Sequence, residues 1–261
     1  MNTHPFWNKK IFGIEAYKMK YNFQKFLYRH FNILLPKMET QKDYWNIRGE
    51  AYMFDILQTG FEEREIFFQN LLINQLQNLS FESIFEAGCG FGWNVKKIKQ
   101  VFPEKKVGGL DFSVPQLKNS ETYLQGMNIT LSQGDILHMP FKDNEFDVGF
   151  SMGVFINVHS KNIYKAANEM KRVSKKYIIH IEYDENNTTE QLREHRKPKT
   201  NIISHDYKKV YENLGLKTIV FLTYKDFGSE YDEYIKNVSS KLHRWEAFEG
   251  AEKYVFAAFE V

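Results

Sequence analysis

The sequence predicts an α/β fold on a mainly parallel sheet, and three observations carry the prediction. From about residue 82 onward, short apolar runs alternate with amphipathic stretches, the pattern of strands joined by crossover helices. The run EAGCGFG, residues 86–92, packs three glycines between the first apolar run and the next helical pattern. Pro115 follows Ser113 where a proline opens a helix, because its missing N–H has no intrahelical partner there in any case.

Taken in order, strands are expected at 83–87, 106–111, 129–133, 146–151, 177–182, 218–224 and 254–261. Helices are expected at 92–101, 115–124, 162–173 and 205–214. The first starts from the glycine run, and the second starts at Pro115 with Ser113 as its capping residue. Nothing between the last two strands demands a helix, so these two pair antiparallel at one sheet edge. Residues 1–80 are read as an N-terminal helical lid and residues 81–261 as the α/β domain.

Composition narrows the function. Net charge is only +2 over 261 residues, which gives bulk electrostatics no reason to favour DNA or another polyanion. A single cysteine, Cys89, excludes an intramolecular disulfide and a multi-cysteine zinc site, and suits a reducing cytoplasm. No apolar run approaches the roughly 18 residues of a membrane span, and no signal-peptide core opens the chain. A cytoplasmic protein with no transmembrane segment is expected. Residues 5–35 interleave aromatic side chains with Lys9, Lys10, Lys18, Lys20, Lys25 and Arg29. Two readings stand for that segment: lid helices packed on the domain, or an interfacial surface for a homodimer or a peripheral contact.

A strand, a glycine-rich turn and a helix present backbone N–H groups and a helix N-terminus to a ligand. A dinucleotide fingerprint needs its third glycine at position 93, which holds Trp93. That spacing argues against NAD. Glu86 followed by Gly-x-Gly-x-Gly resembles motif I of the class I S-adenosylmethionine-dependent methyltransferases, and three further stretches extend the likeness. VGGLD ends an apolar strand at Asp111, about 20 residues beyond the first glycine, where a carboxylate accepts from both ribose hydroxyls of a nucleoside. QGDILHMPFKDNEFDVGFSMGVF resembles the third and fourth strands of the family's type-11 subgroup. ANEMKRVSKKYIIHIEY resembles the helix and strand that follow.

The resemblance implies a seven-stranded Rossmann-like sheet in the order 3-2-1-4-5-7-6, with strand 7 antiparallel. It also implies S-adenosyl-L-methionine as cofactor, held by Glu86, Gly88, Cys89, Gly90, Asp111, Phe112, Gln116, Asp135, Ile136 and Ser151. Within that set Asp135 accepts from the adenine amino group and Ile136 meets the ring edge. Glu86 is expected to partner the loop amides or the cofactor's amino group. DYWNIRGEAY, residues 43–52, resembles a segment that folds over the methionine end of the cofactor in several small-molecule methyltransferases. Arg48 then pairs with a carboxylate, and Tyr44 or Trp45 covers the sulfonium.

Catalytic candidates stand at the carboxyl ends of the strands, where open α/β sheets bind ligands. These are His159, which alternatively only begins a helix, and Glu182 and Tyr183, taken to face the cleft. Asn157 occupies a position where many relatives carry histidine. Glu182-Tyr183 and HDYKKVYENLGL also resemble methyltransferases of nonulosonic-acid (pseudaminic-type) sugar pathways. No Asn/Asp-Pro-Pro-aromatic tetrapeptide follows strand four, no nucleophilic cysteine stands there, and no acid cluster suggests a metal. The expected activity is methyl transfer to an O or N atom of a small polar metabolite, a sugar or nucleotide sugar among them. The alternatives are a protein or RNA acceptor docked on the basic N-terminus, and a non-catalytic scaffold.

Overall fold

The computed structural model describes residues 10–15, 41–58, 61–187, 203–231 and 254–261, with isolated positions between 19 and 31 and at 233. Seven strands form one sheet: β1 (Ser83–Ala87), β2 (Lys106–Asp111), β3 (Ile129–Gln133), β4 (Phe146–Met152), β5 (Ser174–Tyr183), β6 (Lys217–Thr223) and β7 (Tyr254–Glu260). Their spatial order is β3-β2-β1-β4-β5-β7-β6. The first five run parallel, and β7 is antiparallel to both β5 and β6. This is the order and the reversed strand that the resemblance implies. The chain turns back between β3 and β4, so the carboxyl ends of β1 and β4 open a crevice at the switch in strand order.

The helices are α1 (Gln41–Gln58), α2 (Phe61–Gln77), α3 (Trp93–Val101), α4 (Val114–Tyr123), α5 (Ile163–Val173) and α6 (Tyr207–Asn213). Central strands are apolar on both faces because helices cover both. One face carries Phe85, Ile178 and Phe259 against Met170, Tyr207 and Tyr211 of α5 and α6. The other carries Ile84, Val148, Ile179 and Ile181 against Phe68, Leu72 and Leu76 of α2 and Val95 and Ile98 of α3. Each fully buried Phe, Leu or Ile there contributes about 1.5–3 kcal/mol.

The segment ahead of residue 80 therefore divides. α2 is built into the main core, whereas α1 packs on α4 and on the glycine run. Met53 and Ile56 of α1 form a small cluster with Phe91, and Asn119 Nδ2 donates to the Gly49 carbonyl at 2.9 Å. Most of the basic, aromatic segment at 5–35 lies outside the described residues; among those described, Phe23, Phe26 and Phe31 are exposed. No helix among the described residues is long and apolar enough to cross a membrane.

Candidate active site

The glycine run takes its shape from its backbone conformation. Gly88, Gly90 and Gly92 have φ of +77°, +54° and +94°, a region that side chains strain to adopt. The amides of Gly88 and Cys89 both donate to the Leu110 carbonyl, at 2.6 and 2.9 Å, so the turn is tied to the end of β2. The Gly90 N–H donates to Asp111 Oδ2 at 2.9 Å and the Ser113 N–H to Asp111 Oδ1 at 2.8 Å. Two amides thus orient the carboxylate, and each oxygen keeps a second lone pair for an incoming hydroxyl. Burial pushes the Asp111 carboxyl up, against the pull of these amides.

Glu86 does not partner the loop amides. The loop amides are engaged by Leu110 and Asp111, and Glu86 Oε1 instead accepts from Asn94 Nδ2 of α3 at 2.7 Å. Gln69 Nε2 of α2 donates to Asn94 Oδ1 at 3.2 Å and completes a buried relay. Burial raises the Glu86 carboxyl to about 8. Its Oε2 has no hydrogen-bond partner, and neither does Oε1 of the buried Gln116 on α4. An oxygen buried without a partner costs about 1–3 kcal/mol, so each has a place for a ligand group: Gln116 Oε1 for a donor, and Glu86 Oε2 for an acceptor while the carboxyl keeps its proton or for a donor once it is ionised.

Ser113 does not cap α4 with its hydroxyl. Ser113 Oγ donates to the Trp45 carbonyl at 3.1 Å, which fastens α1 over the site. The Trp45 and Tyr52 rings meet edge-on at 5.4 Å, and the Arg48 guanidinium lies 5.1 Å from the Tyr52 ring centre. The side chain of Tyr44 lies outside what the structure describes. Cys89 is buried with its thiol pushed up by burial, so it packs rather than reacts. Phe112 is half-buried beside Asp111. Asp135 Oδ1 accepts from the Leu137 N–H at 2.9 Å, which shapes the turn after β3 and leaves Ile136 against the core.

The remaining candidates separate from this cluster. Glu182 and Tyr183 cannot share a cleft, because successive strand residues face opposite sides of a sheet. Glu182 follows Ile178 and His180 toward the α5–α6 face and is fully buried. Its Oε1 accepts from Ser151 Oγ (2.7 Å), the Val154 N–H (3.0 Å) and the Phe155 N–H (3.1 Å), and its Oε2 from the Ile156 N–H (3.3 Å). Burial raises this carboxyl to about 7 in spite of those bonds. Tyr183 takes the α2 side, with its ring edge-on to Tyr254 at 4.6 Å. Ser151 is fully buried between Glu182 and His180 Nδ1, so its hydroxyl does not face the crevice. His159 is exposed, and its Nδ1 accepts from the Lys161 N–H at 3.1 Å, capping a short 3-10 turn.

Asn94 and Gln69 escaped sequence reasoning. Asn94 lies on the first turn of α3, and an amide placed just after a glycine run was the one signal available. Gln69 carries no local signal. Among the described residues, no group of three or more His, Cys, Asp or Glu is arranged to hold a metal.

Comparison with known proteins agrees with this geometry. Residues 84–177 match a family described as a methyltransferase domain. A demethylmenaquinone methyltransferase of Staphylococcus carnosus (strain TM300) is 35% identical over 146 residues, covering 53% of this chain and 58% of the relative. The match spans only part of its relatives' length, 36% of a second demethylmenaquinone methyltransferase and 42% of an uncharacterised protein of Methanocaldococcus jannaschii. Among solved structures, a geranyl diphosphate methyltransferase in complex with S-adenosylmethionine superposes with a TM-score of 0.60 at 16% identity, over 74% of this chain and 83% of that one. The [4+2]-cyclase SpnF superposes at 0.57 and 12% identity, over 87% and 98%. The segment that matches the methyltransferase-domain family, residues 84–177, is the one that carries the glycine run, Asp111 and Asp135.

Proposed function

We propose that the chain is an S-adenosylmethionine-dependent methyltransferase acting on a small-molecule acceptor. One observation carries the reading. At the carboxyl edge of β1 and β2, left-handed glycines, an amide-held carboxylate and two unpartnered buried oxygens converge. S-adenosylmethionine, when bound, supplies a methyl group activated by its sulfonium. Asp111 would take the ribose hydroxyls, and the glycine backbone would allow close approach. Gln116 Oε1, an acceptor without a donor, suits a cofactor amino group, and the free Glu86 Oε2 would accept from one on ionisation. α1, with Trp45 and Arg48, would cover the site from above, which is the part of the N-terminal lid we retain. Proximity and alignment then carry most of the rate, worth up to roughly 7–11 kcal/mol in favourable cases.

The acceptor is left as a small organic molecule, with transfer to O or N favoured. The pair that carried the likeness to sugar-pathway enzymes, Glu182-Tyr183, is buried and split between two faces, so it lends no support to a sugar. The similar proteins are named for demethylmenaquinone and for geranyl diphosphate. A second reading is favoured by the likeness to a cyclase, since this fold also hosts chemistry that its name does not describe as methyl transfer. Calorimetry with S-adenosylmethionine tests the donor site, and transfer of labelled methyl to an organic extract tests the reaction. Binding that weakens more than tenfold in Asp111→Ala is expected. An absence of binding at millimolar cofactor would overturn the proposal; tight binding without transfer would favour the second reading.

A further inference from the structure

The loop after β4 forms one wall of the donor site, and a buried carboxylate from another strand holds it. Three consecutive amides, those of Val154, Phe155 and Ile156, turn inward onto Glu182 at 3.0–3.3 Å. The Gly153 N–H donates to the Ile181 carbonyl at 3.0 Å, so the loop is fixed just ahead of the turn as well. The loop so held presses Val154 on the glycine run: a Cβ built on Gly88 would lie 2.5 Å from Val154 Cγ2. We propose that Glu182 is a positioning residue of the donor site, whose carboxylate gathers the post-β4 loop and so sets Val154 against Gly88. This rests on the donor-site reading above.

The hydrogen-bond chain behind Glu182 supports an acceptor-only carboxylate. Ser151 has one proton, given to Glu182, so His180 Nδ1 must donate to Ser151 Oγ at 2.8 Å. His180 Nε2 then accepts from Tyr211 O–H at 2.6 Å. Burial holds His180 down at about 3, hence neutral, as this order requires. Three backbone amides, which can only donate, and the Ser151 hydroxyl face Glu182, so the ionised form satisfies all four at once whereas a proton on it has only Ser151 Oγ to go to. The ionisable groups around it are His180 on its own strand, Tyr207 and Tyr211 on α6, Asp184 beyond them, and Glu86 on β1. None is a cation, so burial governs the carboxyl, which sits at about 7. Acidification through neutrality removes the acceptor and loosens the loop.

Amide exchange on the ligand-free protein tests this without any cofactor. Glu182→Gln should lower the protection of the Val154, Phe155 and Ile156 amides about tenfold, with β1 and β2 unchanged. Affinity for S-adenosylhomocysteine should fall in parallel. The double variant Glu182→Gln/Val154→Ala should lose no more affinity than the worse single variant, since both act through one contact. In the wild type, protection of these three amides should drop between pH 8 and pH 6, and in Glu182→Gln it should not. Unchanged protection, or additive losses in the double variant, would overturn the proposal. If Glu182→Gln does not fold, the wild-type pH series decides, and a flat series overturns it. If exchange responds as stated but no cofactor binds at any pH, the loop-holding role stands and the donor reading falls.

Discussion

Gly88 is the position where backbone conformation and packing can be separated experimentally. Its φ of +77° places an alanine in the left-handed region, at a cost of about 1–2 kcal/mol. The new Cβ would also lie 2.5 and 2.6 Å from the two Val154 methyl carbons, well inside the roughly 3.5–4.0 Å of a good carbon contact. Val154 cannot retreat freely, because its amide is bound to Glu182 and the preceding amide to Ile181. Overpacking of this kind adds about 1–3 kcal/mol. Gly126 supplies the control: φ is +79° and nothing lies within 4 Å of its built Cβ. Gly126→Ala should therefore cost about 1–2 kcal/mol of strain alone, and Gly88→Ala about 2–5 kcal/mol. Urea denaturation measures both, and adding Val154→Ala to Gly88→Ala should recover most of the difference. Equal losses at Gly88 and Gly126, or no recovery, would refute the contact.

Two further outcomes follow from the carboxylate and histidine geometry. The Glu86 carboxyl stands at 4.5 unfolded and about 8 folded, so between those values the folded protein keeps a proton that the unfolded chain has released. Its contribution is full below about pH 4.5 and is lost as pH rises to about 8, on the order of 5 kcal/mol in all. Glu86→Gln keeps an acceptor for Asn94 and removes this slope, so its melting temperature should pass that of wild type by a widening margin from pH 5 to pH 8. A constant margin would show that Glu86 is ionised in the fold. His159→Ala removes one exposed cap, so steady-state kinetics should change less than about twofold and stability by about 0.5–1 kcal/mol. A hundredfold loss of kcat would return His159 to the chemistry.

What was legible in the sequence was what the chain writes locally. A strand buried on both faces is an apolar run, and a turn with φ above zero needs glycine. The strands, the glycine run and Asp111 at the end of β2 were therefore readable, while the sheet order came only through the family resemblance. The division of residues 1–80 was not, because an amphipathic helix does not say what covers it. Phe68 and Leu72 of α2 pack on the sheet, while Met53 and Ile56 of α1 pack on the glycine run, and both segments look alike in sequence.

Glu182 marks the boundary of that legibility. An acid at the carboxyl end of a central strand has the same signature whether it lines a crevice or turns beneath it. Strand alternation could have decided more than it was asked to. Ile178, His180 and Glu182 share one face, and Ile179, Ile181 and Tyr183 the other, so no single cleft contains both Glu182 and Tyr183. The partners could not be read at all. Ser151 stands 31 residues before Glu182, and Tyr211 stands 31 residues after His180, in elements joined only by the fold. A buried carboxylate costs too much to persist without donors, and here four converge on it. Three of them are backbone amides, which any residue type supplies and no sequence motif records. One of the three catalytic candidates thus becomes the one that holds the wall against which the glycine run is set.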